Sequence, residues 1–162
     1  MITWRRAQPT DIPACVGMAQ ADFEREIAGH LAPNPWHYSH ELNRAVVDQF
    51  YNPLSQYLTV HEGESGVDAY TWCHLERTPW SPDWITTVRV AHVSLALPAR
   101  SRVRLVHEMI EQWQSWAIAT GSNRVWSTTI RQDWSTFMRL HESHGFEVRG
   151  SMAIWQLNKD VK

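Results

Sequence analysis

The residues of this sequence best suited to chemistry are its histidines and a short arginine series. His92 lies inside Val88-Arg89-Val90-Ala91-His92-Val93-Ser94-Leu95, and His141 lies near the end of a helical stretch that closes at Gly145. An imidazole gains or loses a proton near neutral pH, so either can act as acid or base. Arg100, Arg102 and Arg104 alternate along Leu97-Pro98-Ala99-Arg100-Ser101-Arg102-Val103-Arg104-Leu105, where a helix is expected to begin. Turned inward, they would meet an anionic group with charge-assisted hydrogen bonds; turned outward, they lie in solvent. His37-x-x-His40-Glu41 and His141-x-x-His144 bring imidazoles close, but a zinc site needs three or four converging ligands, so no metal is expected. Gly63 to Gly66 is a hairpin signal rather than a phosphate loop, and there is no nucleophile elbow or Walker-type sequence.

The elements that must position these residues follow from hydrophobic spacing. Ile2 to Ala7 reads as a strand, and Thr10 or Asp11 as the cap of a helix with Ile12, Cys15, Val16, Met18, Ala19, Phe23 and Ile27 at helical spacing towards Gly29. His30 to His40, with Pro33 and Pro35, reads as a loop, after which Ser39 caps a helix that ends before Pro53. The period then changes to two: Tyr57 to His61 and Val67 to Glu76 form a hairpin, and Trp84 to Leu97 is the longest β-rich run. Ser101 to Thr120 is a strong amphipathic helix ended by Gly121. Arg124 to Ile130 is a strand, Asp133 to His144 a helix, and Phe146 to Arg149 and Ala153 to Leu157 two final strands.

A chain of 162 residues is sized for one domain, 1–162, since domains usually run about 100–150 residues. Its 43% hydrophobic and 20% charged content is globular, and a net charge of −2 gives no general attraction to nucleic acid or to an anionic membrane. Cys15 and Cys73 form no disulfide framework, no leader is visible and no run is long enough to span a membrane, so an intracellular chain is expected. Thirteen of the 15 basic residues are Arg, a bias with no functional explanation. The ten tryptophans exceed ordinary usage, and Trp is enriched at interfaces. Trp80, and one of Trp113 and Trp116, are therefore expected to contact a protein partner or a second copy of the chain.

The order β, α, α, β, β, β, α, β, α, β, β resembles the GNAT superfamily of acyl-CoA-dependent N-acyltransferases across essentially the whole chain. Leu140-His141-Glu142-Ser143-His144-Gly145-Phe146-Glu147 is similar to the family's helix-ending pattern N-x-x-A-x-x-x-Y-x-x-x-G-F, with His141 at its Tyr, Phe137 at its Ala and Trp134 at its Asn. The resemblance implies an α/β fold, a mixed central sheet splayed between its fourth and fifth strands, and transfer of an acetyl group from acetyl-CoA to a primary amine on a small molecule or a protein. It implies His92 as base and His141 as acid, beside the plainer readings of His92 as a buried, hydrogen-bonded sheet residue and of His141 as an ordinary residue near a helix C-terminus. Glu62 and Glu76, at the ends of the preceding strands, either line the acceptor side or lie in solvent. The donor would lie along Leu95, Leu97, Arg100, Ser101, Arg102, Val103, Arg104, Leu105 and Trp134. The family's R-x-x-G-x-G signature has no glycine in either register here: Val103 and Leu105, or Arg104 and Val106, hold those positions, which implies crowding and weak CoA binding. Glycine-poor GNAT-like chains of tailed phages are similar in this respect, which implies the alternative of a catalytically inactive interaction protein, cytoplasmic or carried in a virion.

Overall fold

The computed structural model describes residues 3–26, 32–129 and 134–149. Strand β1 (Thr3–Arg6) leads through a single 3-10 turn, Pro9–Asp11, into α1 (Ile12–Glu26). Gln8, not Thr10 or Asp11, occupies the cap position. Asp11 instead closes the turn from inside, accepting the Gln8 amide at 2.8 Å and both terminal guanidinium nitrogens of Arg5 at 2.7 and 2.9 Å.

Helix α2 (Pro35–Tyr51) starts earlier than its prolines suggest. Asn34 accepts the His37 amide at 2.9 Å and Pro35 sits in the first turn, where its missing N–H costs nothing, so most of the expected loop is helix and Ser39 lies within it.

Strands β2 (Gln56–Gly63), β3 (Gly66–Arg77) and β4 (Trp84–Val93) continue antiparallel from β1. Helix α3 (Ala99–Thr120) then crosses to β5 (Arg124–Ser127), which joins β4 in parallel, giving the sheet order β1-β2-β3-β4-β5. Side chains alternate across the sheet as a period of two requires. Tyr70 and Trp72 pack with Leu42, Ala45 and Ile12 of the α1/α2 layer, whereas Ala69 and Cys73 pack with Leu105, Met109, Ile110 and Trp113 of α3. The Trp113 indole also donates to Thr71 Oγ1 at 2.8 Å. Trp116 is buried beside it, stacked on Tyr57 with centroids 5.4 Å apart, because α3 lies across a sheet face wide enough for both rings. The expectation that one of the two faces a partner is therefore corrected; Trp80, in the β3–β4 loop, is 80% exposed.

Two features of β4 shape the rest. Trp72 faces Val90 and Cys73 faces Val88, so Arg89 is an extra, bulged residue, and bulges bend and twist a strand. The ladder to β5 covers only Ile85–Val88, and β4 runs on through Arg89 to Val93 past the last β5 partner, Ser127. The two parallel strands thus part at Val88 and Ser127.

Helix α4 (Trp134–Ser143) ends at Gly145, whose φ of +81° lets the Phe146 amide turn back to the His141 carbonyl at 3.1 Å. Phe146–Arg149 is irregular rather than the expected strand, because that turn commits Phe146 to packing over the helix end. Ile130, Asp133 and the expected strand Ala153–Leu157 lie outside the described residues. No helix among the described residues is long and apolar enough to cross a membrane.

Candidate active site

His92 stands on the part of β4 that has passed the end of β5, on the sheet face covered by α1. Its Nδ1 is 2.7 Å from Asp22 Oδ2, the imidazole is 11% exposed, and Asp22 is 2% exposed with Oδ1 lacking a partner. A carboxylate that is ionised only accepts, so facing it Nδ1 carries a proton; in the neutral ring Nε2 then holds the lone pair, the tautomer a base requires. Tyr70 packs on the imidazole at 5.2 Å between centroids, and its hydroxyl meets that of Tyr38 at 2.8 Å. Burial pushes both phenols upward, so they remain protonated. Sequence reading missed Asp22. The signal was present: it follows Ile12, Cys15 and Ala19 on the apolar face of α1, where a carboxylate must find a buried partner.

His141 of α4 is 2% exposed, enclosed by Trp113, Phe137 and Phe146. Nδ1 lies 2.8 Å from the Phe137 carbonyl and Nε2 lies 2.9 Å from Ser127 Oγ, at the last ladder position of β5. A carbonyl cannot donate, so Nδ1 carries the proton, Nε2 holds the lone pair, and the Ser127 hydroxyl donates to it. Burial holds the imidazole below its usual range, the Phe137 bond partly offsets this, and nearby His144 adds to the lowering. Ser127 was not singled out from sequence, since one serine at a strand end carries no signal until α4 is packed against it.

The arginine series proves to lie one step further along than the motif reading assumed. Helix α3 begins at Ala99, so Val103, Arg104 and Leu105 belong to its second turn. Pro98 offers no side-chain cap, and the first intrahelical bond runs from the Arg102 amide to the Pro98 carbonyl at 3.0 Å. The amides of Ala99, Arg100 and Ser101 form the helix N-terminus, an anion-attracting position, and Ala99 and Ser101 are small. Arg100 is exposed, and Arg102 is half-buried with Nε enclosed and unpartnered. Arg104 pairs with Glu108 at 3.1 Å, Val103 is 41% exposed, and the Leu105 side chain is in the core. Leu97 packs at the edge of that core, Leu95 is exposed in the turn after β4, and Trp134 is exposed at the start of α4.

Several expected residues are engaged elsewhere. Glu62 pairs with Arg5 at 2.8 Å beside β1. Glu76 accepts Thr87 Oγ1 at 2.6 Å and sits 3.1 Å from His74 at the opposite end of β4 from His92. His144 meets His107 at 2.6 Å, His40 stacks on Trp36, and no group of three metal-ligating side chains occurs among the described residues. A groove of about 520 Å³ between β1, β2 and α3 includes none of the residues of this arrangement.

No protein-family model matches the sequence, and no curated protein matches it. Solved structures do. A predicted acetyltransferase with acetyl-CoA from Clostridium acetobutylicum superposes with a TM-score of 0.70 at 12% identity, covering 97% of both chains. Glucosamine-6-phosphate N-acetyltransferase from Arabidopsis thaliana gives 0.70 at 10% identity, covering 98% of this chain and 99% of that one. A transcriptional regulator from Bacillus halodurans gives 0.73 at 15% identity, covering 97% and 100%. Identities this low speak for architecture alone. With near-complete coverage of both partners and the parting of β4 from β5, they show that this chain has the GNAT acetyltransferase fold.

Proposed function

We propose that this chain transfers an acetyl group from acetyl-CoA to a primary amine. The observation that carries the reading is the Asp22–His92 pair, a buried carboxylate fixing the tautomer of a histidine on the free stretch of β4. On the other strand of the opening, Ser127 and His141 form a second proton-transfer pair. His92 Nε2 takes the proton from the acceptor ammonium, which frees the nitrogen lone pair for attack on the acyl carbonyl; the second proton, shed by that nitrogen as the C–N bond forms, passes by way of the Ser127 hydroxyl to His141 Nε2 and from there to the departing thiolate.

The start of α3 fits the anionic part of the donor. Its amides are not capped by a side chain, Arg100 and Arg102 stand at the first turn, and Leu105 points away into the core. Bound acetyl-CoA would supply the activated acyl group; the protein's part is to hold the pyrophosphate there. The crowding inferred from Val103 and Leu105 is relieved because both lie past the first turn. With Trp113 and Trp116 in the core, the reading as an interaction protein rests, among the described residues, on the exposed rings of Trp36, Trp80, Trp84, Trp126 and Trp134.

The test is release of CoA thiol from acetyl-CoA on addition of a panel of primary amines, beside His92→Ala. Amine-dependent release that falls at least about a hundredfold in the variant is expected, on the scale of lost general-base catalysis. No release above the enzyme-free rate with any amine would overturn the reading.

A further inference from the structure

The β3–β4 loop, residues 78–83, is longer than an antiparallel connection requires, and it is built stiff. Pro79 and Trp80 form the centre of a turn closed by the Ser81 amide on the Thr78 carbonyl at 3.3 Å, and Ser81 Oγ accepts the Asp83 amide at 3.2 Å. Pro79 fixes φ inside the turn and Pro82 fixes it just beyond. This turn holds up an indole that is 80% exposed. A large apolar ring left in water adds little to the fold, whereas a ring already fixed in place loses little freedom when a ligand covers it.

The start of β5 presents a second ring beside it. Val125 packs on α3, so the period of two turns Arg124 and Trp126 to the opposite sheet face, which they share with the buried Ile85 across from Arg124. A cavity of about 90 Å³ there is lined by Trp80, Trp126 and Ile85 and by the polar residues Asp83, Asn123 and Arg124. These three polar residues are exposed, and none of their side chains has a hydrogen bond or ion pair among the described residues. The cavity marks the first rung of the β4–β5 ladder, and His92 lies roughly 20 Å further along β4 at about 3.3 Å per residue.

We propose that this end of the sheet binds an uncharged saccharide, one pyranose ring lying with its C–H face on the Trp80 indole and its hydroxyl edge towards Asp83, Asn123 and Arg124. A carboxylate only accepts, a guanidinium only donates and an amide does both, which together match neighbouring hydroxyls, each a donor and an acceptor. The two charges are opposite, so the wall favours neither a cation nor an anion. An aromatic cage for a quaternary ammonium calls for the carboxylate without the guanidinium, and a phosphate site calls for the reverse. The C–H groups of a pyranose are apolar and slightly positive, which suits the negative face of an indole. At about 90 Å³ the cavity is far smaller than the roughly 300–1,000 Å³ of sites that enclose a small molecule, so it takes one edge of a ring that otherwise lies on the surface. No residue of this site belongs to the Asp22–His92 pair or to the start of α3, and the binding is independent of acetyl transfer.

The experiment is saturation-transfer NMR of the full chain with the methyl glycosides of glucose, mannose, galactose and N-acetylglucosamine, followed by titration of the strongest binder against the indole N–H resonances. Transfer to the ring C–H protons of at least one glycoside is expected, with the Trp80 signal, identified by its loss in Trp80→Ala, moving on titration. Affinity should fall at least about tenfold in Trp80→Ala and in Asp83→Ala, as for truncated anchors of other binding sites. Both side chains are exposed in a loop, so both variants should melt as the wild type does. Saturating acetyl-CoA should leave saccharide affinity unchanged, and the result is expected whether or not the chain acetylates any amine. No transfer to any glycoside at high millimolar concentration would overturn the proposal. So would affinity unchanged in both variants, or tighter binding of tetramethylammonium or inorganic phosphate at the same indoles.

Discussion

Asp22→Ala removes the carboxylate that holds His92 Nδ1 at 2.7 Å inside a nearly closed pocket between α1 and β4. A hydrogen bond to a charged group contributes about 1.5–3 kcal/mol, and nothing described near His92 replaces the lost acceptor. For a chain of this length each kcal/mol moves the melting temperature by about 2–4 °C, so a fall of roughly 3–12 °C is expected. Activity should suffer more, because without Asp22 the ring is free to adopt the other tautomer and the imidazolium loses its counter-charge. A kcat loss of roughly 10²–10⁴ is expected, with acetyl-CoA affinity unchanged because the described partner of Asp22 is His92 and not a group at the α3 start. Asp22→Asn separates the two effects: its amide oxygen can still accept Nδ1–H, so most of the stability remains while the charge, and with it most of the activity, is lost. Thermal melts and thiol-release assays on the three proteins read both quantities. An Asp22→Ala chain that melts within about a degree of wild type and keeps its kcat would show that the pair neither holds the fold nor orients a base.

Acid should destabilise the fold in two steps. Burial lowers the folded-state values of His74 and His141, while the Arg5 hydrogen bonds lower Asp11 and the Thr87 hydroxyl lowers Glu76. In each case the unfolded chain binds protons more readily, so stability is complete above the unfolded value and falls as pH drops from about 6.5 for the histidines and from about 4 for the carboxylates. Melting temperatures across that range should show both declines, with the lower one reduced in Asp11→Asn; a flat profile would contradict the arrangement. Cys15 and Cys73 are fully buried, Cys15 is pushed up to about 12 and Cys73 is also raised, so an aromatic disulfide reagent should label neither in the native chain and both in denaturant. Rapid native labelling would mean that one of the two cores is open.

The legible parts of this fold were those with strong local periodicity. Leu105, Met109, Ile110, Trp113, Trp116 and Ala117 recur on one face and reveal α3 without any tertiary information, and the period-two runs of β2, β3 and β4 do the same for the sheet. The start of α2 was obscured because prolines break helices in general, yet Pro35 suits the first turn and Pro33 lies just before the cap residue Asn34. The candidate pairings were legible only by half. His92 and His141 stood out by residue type, but their partners are 70 and 14 residues distant and become visible only when α1 and α4 close on the sheet. The bulge at Arg89 and the start of α3 at Ala99 have the same character: each is a shift of a few residues that pairing decides and local sequence does not.

Acetyl-CoA binding to the unmodified chain is the decisive measurement, read as a melting shift with increasing ligand. At a hundred times the dissociation constant, binding stabilises a fold by about 2.7 kcal/mol, which corresponds here to a rise of roughly 5–11 °C. The rise should be smaller in Arg102→Ala, where the guanidinium at the first turn of α3 is gone, and should persist in Ser127→Ala. A melting temperature that does not move at millimolar acetyl-CoA, in a chain that melts cooperatively, would contradict the claim that this opening takes its acyl group from acyl-CoA.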